Sequence, residues 1–553
     1  ARTGLVARYE DQRHHYFYCV ERLCRLVLYR RADQEWVELG AYDLSIDRSR
    51  YYRLRLEVQG DLLRCFLDGN LMFEARDDHF PQGKAGIRTN CEAFFDRVAV
   101  TCDKLEAAAF HDRRARQRAE LEELREHYPQ PVLWRRLPIR LKGRTRVRKA
   151  ELEGPGSTDL VLGHRDGLKA IDLDGQVLWE MFPPGGQVLT KSPPFQVYDI
   201  DGDGSPEVVV AFPDRMMVLE GPTGRLKAEA PLPRQGTFHD QPGRPISPGL
   251  VYVANFSGDE TRQVVVQNGH FGVWVYDHTL RELWARPNLM YGHCFSFYDI
   301  DGDGREEFMA GHHLLRGDGQ EIWRTQGDDW LLNLFHPDTI VMTDIDGDGL
   351  AEVVMTTGEG GVLFLDHEGR VTARHPQGHA QNLSVGKYRR DIEGRQVWVV
   401  NRWGSAGLRW LFDARGDLLF RFEPDNIAEL GFPCNWTGDG EELAMIITSE
   451  RCTGLYDAFG REVVHFTDEG WLKGADPAPS GIHRAISIDV MGDRRDEVIL
   501  ISEEAIWIYT QDRPFEGDRI YAPDRRWHQN ALAFVSEPAW EEYPCRSVTR
   551  NRP

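Results

Sequence analysis

Short apolar runs bounded by glycine and aspartate recur from about residue 140 to residue 512. Val208-Val209-Val210, Phe308-Met309-Ala310 and Val353-Val354-Met355 are three of them. Each is too short for a helix and reads as a buried strand. A turn follows each run, and then a second pattern: an apolar or aromatic strand, Asp-x-x-Gly, and a strand of Leu-x-Trp type. Residues 170–179, 276–284, 316–323, 365–369, 412–419 and 456–463 carry versions of it. Read as hairpins, each unit supplies about four short strands at a period of roughly 35–50 residues. Eight such units can be counted. The pattern predicts an all-β chain built on an eight-bladed β-propeller, with seven blades as the alternative. A unit with a partial strand set would serve ring closure.

The first 103 residues are patterned differently. Tyr52-Arg53-Leu54-Arg55-Leu56-Glu57-Val58 and Leu63-Arg64-Cys65-Phe66-Leu67-Asp68-Gly69 alternate, as half-buried strands do. The Leu-Asp-Gly hairpin, the Gly83-Lys84-Ala85-Gly86-Ile87-Arg88 strand and a last strand over residues 93–100 resemble the C-terminal half of a laminin-G-like (concanavalin-type) module. That resemblance implies a β-sandwich (jelly-roll) over residues 1–103 whose N-terminal half is missing. It also implies either glycan binding or a packing role. Residues 104–127 are the one helical stretch, with Leu105, Ala109, Leu121 and Leu124 set among Arg and Glu. Pro129 and Pro131 end it. Segment 104–131 therefore reads as a helical linker, and 132–553 as the propeller with a C-terminal tail.

One phrase inside the repeat carries chemistry. Asp-Ile-Asp-Gly-Asp-Gly stands at residues 199–204, 299–304 and 344–349, each followed by a carboxylate at position 9. Asp199, Asp201, Asp203 and Glu207 form the first set. Asp299, Asp301, Asp303 and Glu307 form the second, and Asp344, Asp346, Asp348 and Glu352 the third. Four convergent carboxylates repel one another without a cation, and hard oxygen ligands on a Gly-rich turn suit Ca2+. The pattern is not an EF-hand, because position 12 lacks the bidentate Glu and a strand follows. Degenerate versions at residues 153–159, 255–260, 388–394, 436–442 and 489–497 are expected to keep the turn and lose the metal.

A net charge of −21 with no basic stripe argues against a nucleic-acid partner. No apolar span of membrane length is present. Nine cysteines leave at least one unpaired and fit no zinc spacing. One or two disulfides among Cys19, Cys24, Cys65, Cys91 and Cys102 are compatible with the count. No signal peptide is visible in this chain. Weak calcium loops fill at the millimolar calcium outside cells, so a secreted or periplasmic protein is expected. Oligomeric state is not readable.

Residues 291–307, Tyr291-Gly292-His293-Cys294-Phe295-Ser296 running into the second calcium phrase, resemble a blade of rhamnogalacturonan lyases of polysaccharide lyase family 11. Gln377-Gly378-His379-Ala380-Gln381 is similar to that family's Gly-His-Gly-Asp-Ala stretch, with Ala380-Gln381 in place of Gly-Asp. The tail over residues 521–531 is similar to its closing segment. The resemblance covers about residues 140–540. It implies β-elimination on a uronate-containing, rhamnose-linked polysaccharide. Propeller lyases acting on ulvan or rhamnose–glucuronate caps fit nearly as well. Such a lyase needs a group to neutralise the carboxylate, a base at C5 and an acid for the leaving oxygen. His293 and His379, each just before an innermost strand, are candidate catalytic residues, with base and acid not assigned between the candidates. Arg402 is the candidate carboxylate clamp and Tyr291 a candidate acid. Trp403 is a candidate sugar platform, and His336, His239 and His528 are weaker candidates. The competing readings are a non-catalytic, calcium-stabilised glycan-binding propeller and a glycoside hydrolase. The latter would need a carboxylate pair that the sequence does not reveal.

Overall fold

A computed structural model describes residues 1–143, 145–237, 243–326, 336–402, 407–424, 430–447, 452–466 and 484–523. The chain divides into two compact units, Ala1–Glu120 and Leu121–Pro553. Among the described residues the second unit contains eight four-stranded antiparallel sheets that succeed one another along the chain. Seven are simple meanders. The eighth joins Arg484–Ile488, Glu497–Ile501 and Ile506–Gln511 to Pro131–Leu137, which precedes the first sheet. Leu137 pairs with Ile506 and Pro131 with Gln511.

Within a sheet the first three strands are largely buried and the fourth is the exposed one. Glu207–Ala211 is buried at every position, whereas Leu226–Pro231 alternates between exposed and half-buried. Val- and Ile-rich segments therefore take the middle positions, where both faces are covered, and alternating segments take the outer edge. First strands of consecutive sheets lie beside one another: Phe295–Tyr298, Thr339–Thr343, Ala380–Gly386 and Leu430–Cys434 follow in order.

The Leu-x-Trp and Asp-x-x-Gly signatures meet across sheets. The indole N–H of Trp284 donates to the Gly317 carbonyl at 2.8 Å, and that of Trp323 to the His367 carbonyl at 3.0 Å. A Cβ at Gly319 would lie 3.0 Å from the Trp284 ring and one at Gly369 2.5 Å from Trp323, so these turn glycines make room for the neighbouring tryptophan. Both also hold positive φ.

A second device holds each loop in shape. The side-chain oxygen at position 9 accepts the backbone N–H of position 2. Glu207 takes it from Ile200 at 3.0 Å, Glu307 from Ile300 at 3.2 Å and Glu352 from Ile345 at 2.8 Å. Four of the five degenerate loops keep the bond, three of them with a side chain other than Glu. Asp159 accepts from Leu152, Gln263 from Phe256, Gln396 from Arg389 and Glu497 from Val490. The turn thus survives where the acidic set is lost, because an amide oxygen serves the bond as well as a carboxylate.

The first unit holds a five-stranded and a three-stranded antiparallel sheet. Tyr16, Tyr18, Leu26 and Leu28 from the larger sheet share a core with Leu63, Cys65 and Leu67 of the smaller. The last strand expected over residues 93–100 does not form. Phe94 is 79 % exposed and no neighbouring strand pairs with the segment. Alternation alone cannot make a strand where no sheet edge takes up its backbone groups. Cys19, Cys24, Cys65, Cys91 and Cys102 are all free thiols, so no disulfide joins them. The helix spans Lys104–His127 with no buried residue. Leu124, with Tyr128 just beyond the helix end, packs against the second unit's core. Among the described residues no helix is long and apolar enough to cross a membrane.

Candidate functional site

Four consecutive sheets bring polar side chains together at one end of their inner strands. His293 stands two residues before Phe295–Tyr298, Asp338 immediately before Thr339–Thr343, and His379 immediately before Ala380–Gly386. His336 precedes Asp338 by two residues. His270 comes from the turn between Gln263–Asn268 and Phe271–Tyr276, and Arg402 follows Gln396–Asn401. Backbone bonds lock the register between neighbours. The His293 N–H donates to the Pro337 carbonyl at 3.0 Å, and the Arg402 N–H to the His379 carbonyl at 3.0 Å. A Cβ on Gly292 would fall 2.1 Å from the Pro337 carbonyl oxygen, so the approach of these two loops requires glycine there.

Asp338, only 1 % exposed, is the centre. Its Oδ1 receives the Gln381 side-chain N–H at 2.7 Å and lies 3.3 Å from His293 Nε2 and 3.9 Å from His336 Nε2. Its Oδ2 lies 3.9 Å from His379 Nε2. The other nitrogen of His379 meets Glu359 Oε1 at 3.1 Å. Burial pushes the Asp338 carboxyl up to about 8, against the pull of Gln381 and Arg402. Burial, with His270, His336, His379 and Arg402 around it, brings His293 down to about 2. His336 is lowered to about 4, by burial first, and His270 is also lowered by burial. Near neutral pH the cluster therefore holds its inner groups uncharged. His336, with its side chain 38 % exposed, and Glu359 form its open side.

Of the residues singled out from sequence, His293, His336, His379 and Arg402 come together here. Tyr291 lies instead in an apolar cluster with Phe295 and Phe308, and its hydroxyl accepts the Asn268 backbone N–H at 2.8 Å. His239, Trp403 and His528 lie outside the described residues, as does most of the closing tail segment. Sequence reasoning missed Asp338 and His270. The His-Pro-Asp before a buried apolar run was a usable signal for Asp338, since a carboxylate at an inner-strand start needs polar partners. Nothing local marked His270.

The three acidic loops form as expected, and in each the three Asp carboxylates bring oxygens within 4.8 Å of one another. Burial first, then the neighbouring aspartates, raises Glu307 and Glu352 to about 7. Asp299 Oδ1 is buried and accepts no hydrogen bond, so it is an oxygen that a cation would satisfy. The second and third loops therefore suit Ca2+. The first differs: Lys227 Nζ lies 2.7 Å from Asp201 and 2.8 Å from Glu207.

No family model matches the chain. The fold is that of the family-11 polysaccharide lyases. The structure aligns with a rhamnogalacturonan lyase of that family from Bacillus licheniformis over 98 % of this chain and 97 % of the other, at TM-score 0.56 and 15 % identity. It aligns with the crystal structure of rhamnogalacturonan lyase YesW over 94 % and 91 %, at TM-score 0.53 and 16 % identity. In sequence the chain resembles two curated proteins of Bacillus subtilis. It is 23 % identical to the rhamnogalacturonan endolyase YesW over 67 % of this chain and 68 % of that one. It is also 23 % identical to the rhamnogalacturonan exolyase YesX, over 62 % of this chain and 64 % of that one. The chain thus spans about two thirds of the length of the curated relatives it resembles.

Proposed function

We propose that this protein is a polysaccharide lyase that cleaves a uronate-containing, rhamnose-linked polysaccharide of rhamnogalacturonan type by β-elimination. The eight sheets are read as the blades of a propeller closed by strand Pro131–Leu137, carrying the catalytic domain over residues 132–553. Residues 1–103 are read as an accessory laminin-G-like β-sandwich, joined by the helical linker at 104–131. The observation that carries the reading is the convergence of His293, His336, His379 and Arg402 around buried Asp338. The likeness to rhamnogalacturonan lyases in sequence supports it.

In this reading Arg402 neutralises the uronate carboxylate, which makes the C5 proton acidic enough to leave. His379 takes that proton through Nε2, its ring held by Glu359 at Nδ1. The same imidazole, now protonated, can return the proton to the expelled O4. No tyrosine acid is then required, and buried Tyr291 is given no catalytic role. His336, Trp403 and His239 are read as substrate contacts. Bound Ca2+ supplies charge neutralisation in the acidic loops, which puts the protein in a calcium-rich secreted or periplasmic setting.

The test is growth of ultraviolet absorbance from unsaturated uronate on rhamnogalacturonan I, arabinogalactan and ulvan in parallel, with calcium present. A rise on rhamnogalacturonan alone is expected. A rise only on another uronate polymer would transfer the activity to that substrate. No rise on any, with measurable glycan binding, would replace the enzyme with a binding propeller.

A further inference from the structure

The first unit holds a buried charge cluster that the proposed reaction leaves unused. Its five-stranded sheet turns one face away from the core it shares with the smaller sheet. On that face His15 stands opposite Arg31, and Arg31 opposite Trp36, in one row across three strands. Arg88 comes from the edge strand Lys84–Thr89. Arg31 and Arg88 both donate to the Gln12 carbonyl, at 2.7 and 3.2 Å. Two guanidinium groups are thereby held against one neutral acceptor. Both also lie over Trp36, with Cζ 5.0 and 5.5 Å from the ring centroid. Arg31 is only 6 % exposed, its Nε is buried without a hydrogen-bond partner, and no carboxylate of the described residues lies within ion-pair distance of it. The Asp11 carboxylate is turned to His14 Nδ1 at 2.8 Å and to the Arg13 backbone N–H at 2.7 Å. Arg2, beside the same indole, is by contrast matched by Glu21 at 2.6 Å. We propose that Arg31 and Arg88 form an anion site that takes the carboxylate of a uronate residue in a polysaccharide, which makes the first unit a binding module for acidic sugar chains.

Three features argue for this chemistry. Like charges packed together away from water are costly until an anion joins them, so the pair is built to be completed from outside. The planar guanidinium fork matches the two oxygens of a carboxylate, and Trp36 and Arg88 are half-buried, which leaves the cluster open to solvent on their side. Charge is also unevenly spread along the chain. Residues 1–102 carry equal numbers of basic and acidic side chains, so the net charge of −21 lies beyond them. A polyanion is repelled by that remainder and finds its cationic contact in the first unit. The choice of a uronate over other anions rests on the proposed lyase substrate, whereas the convergence of the two arginines does not.

The test is affinity electrophoresis of the full-length protein through gels holding rhamnogalacturonan I, the same polymer with its carboxyl groups reduced, or dextran sulfate. Every protein in the gels carries Arg402→Ala, so that cleavage does not alter the polymer. Retention on rhamnogalacturonan I is expected, with little on the reduced polymer. Arg31→Gln and Arg88→Gln should each weaken it at least about 10-fold, as loss of a charge-assisted contact does. Arg88→Gln, at the half-buried position, carries the test should Arg31→Gln fail to fold. Arg97→Gln, exposed and outside the cluster, should leave retention unchanged. Retention indifferent to Arg88→Gln, equal retention on the reduced polymer, or tighter retention on dextran sulfate would overturn the proposal. Cleavage by protein with Arg402 intact, beside retention that ignores Arg88, would remove this site and keep the lyase. Retention that depends on Arg88, without cleavage, would do the reverse.

Discussion

Replacing Lys227 with methionine separates the first acidic loop from the other two. The register places Lys227 at the bulge of its outer strand, between the pairs Leu219–Leu226 and Val218–Ala228. The corresponding bulge residues are Ile322 beside the second loop and Thr372 beside the third. Among the described residues, only the first of the three full loops therefore has an internal ammonium against its carboxylates, at 2.7 Å from Asp201 and 2.8 Å from Glu207. Hydrogen bonds between charged groups contribute about 1.5–3 kcal/mol each before screening. With Asp201 and Lys227 both about a quarter exposed, the pair of contacts together is taken as about 2–3 kcal/mol. Calcium must displace the ammonium to enter, so this cost weakens the site roughly 30- to 150-fold. Lys227→Met should bring the weakest of three calcium sites up by that factor, measured by competition with a chromophoric chelator. In excess chelator the same variant should melt lower, by roughly 2–3 °C for a unit of this size. Three equally tight sites in the wild type, unchanged by the substitution, would refute the argument.

Other consequences follow from named contacts. Arg402→Ala should lower turnover on the cleaved polysaccharide by at least about 100-fold, and Arg402→Lys should recover part of it, as an electrostatic clamp requires; equal loss in both with unchanged binding would argue against a charge role. Gln263→Leu removes the acceptor for the Phe256 and Ser257 backbone N–H groups. It should cost about 2–3 kcal/mol in chemical denaturation, although this loop lacks the full acidic set. In the first unit, burial foremost and then Arg88 hold His15 down at about 3. Its Nδ1–H donates to the Asp11 carbonyl and its Nε2 accepts from Arg88. The unfolded state takes up a proton near pH 6.5 and the folded state does not, so stability falls as pH drops below 6.5 and continues to fall to about 3. At pH 4.5 the loss is about 2–3 kcal/mol. Denaturation of His15→Gln should show a flatter dependence between pH 7 and 4.5, and an unchanged slope would rule His15 out.

Much of the molecule was legible because its requirements are local. A turn of Asp and Gly, a buried apolar run and a Trp that must meet the next sheet's glycine repeat at a readable period. The histidines at inner-strand starts could be picked out for the same reason. What escaped the sequence depends on neighbours distant in the chain. Asp338 is central only because His293 and His379 arrive from sheets on either side, and His270 reaches the cluster from a turn two sheets before that of Asp338. Tyr291 looked like an acid beside His293, yet its hydroxyl meets the Asn268 N–H in the core. Residues 93–100 alternate like a strand, but no edge receives them. The position-9 bond was hidden because Asp, Glu and Gln all serve it.

The pairing of Leu137 with Ile506 also sets an order of events in time. Strand Pro131–Leu137 leaves the ribosome before any of the eight sheets is complete, while its partner Ile506–Gln511 comes more than three hundred residues later. At 5–20 residues per second the wait is on the order of 20–70 s. During that interval an edge strand with unpaired backbone groups stands open to wrong partners. The closing strand is therefore the segment whose protection during synthesis would govern the yield of the whole chain.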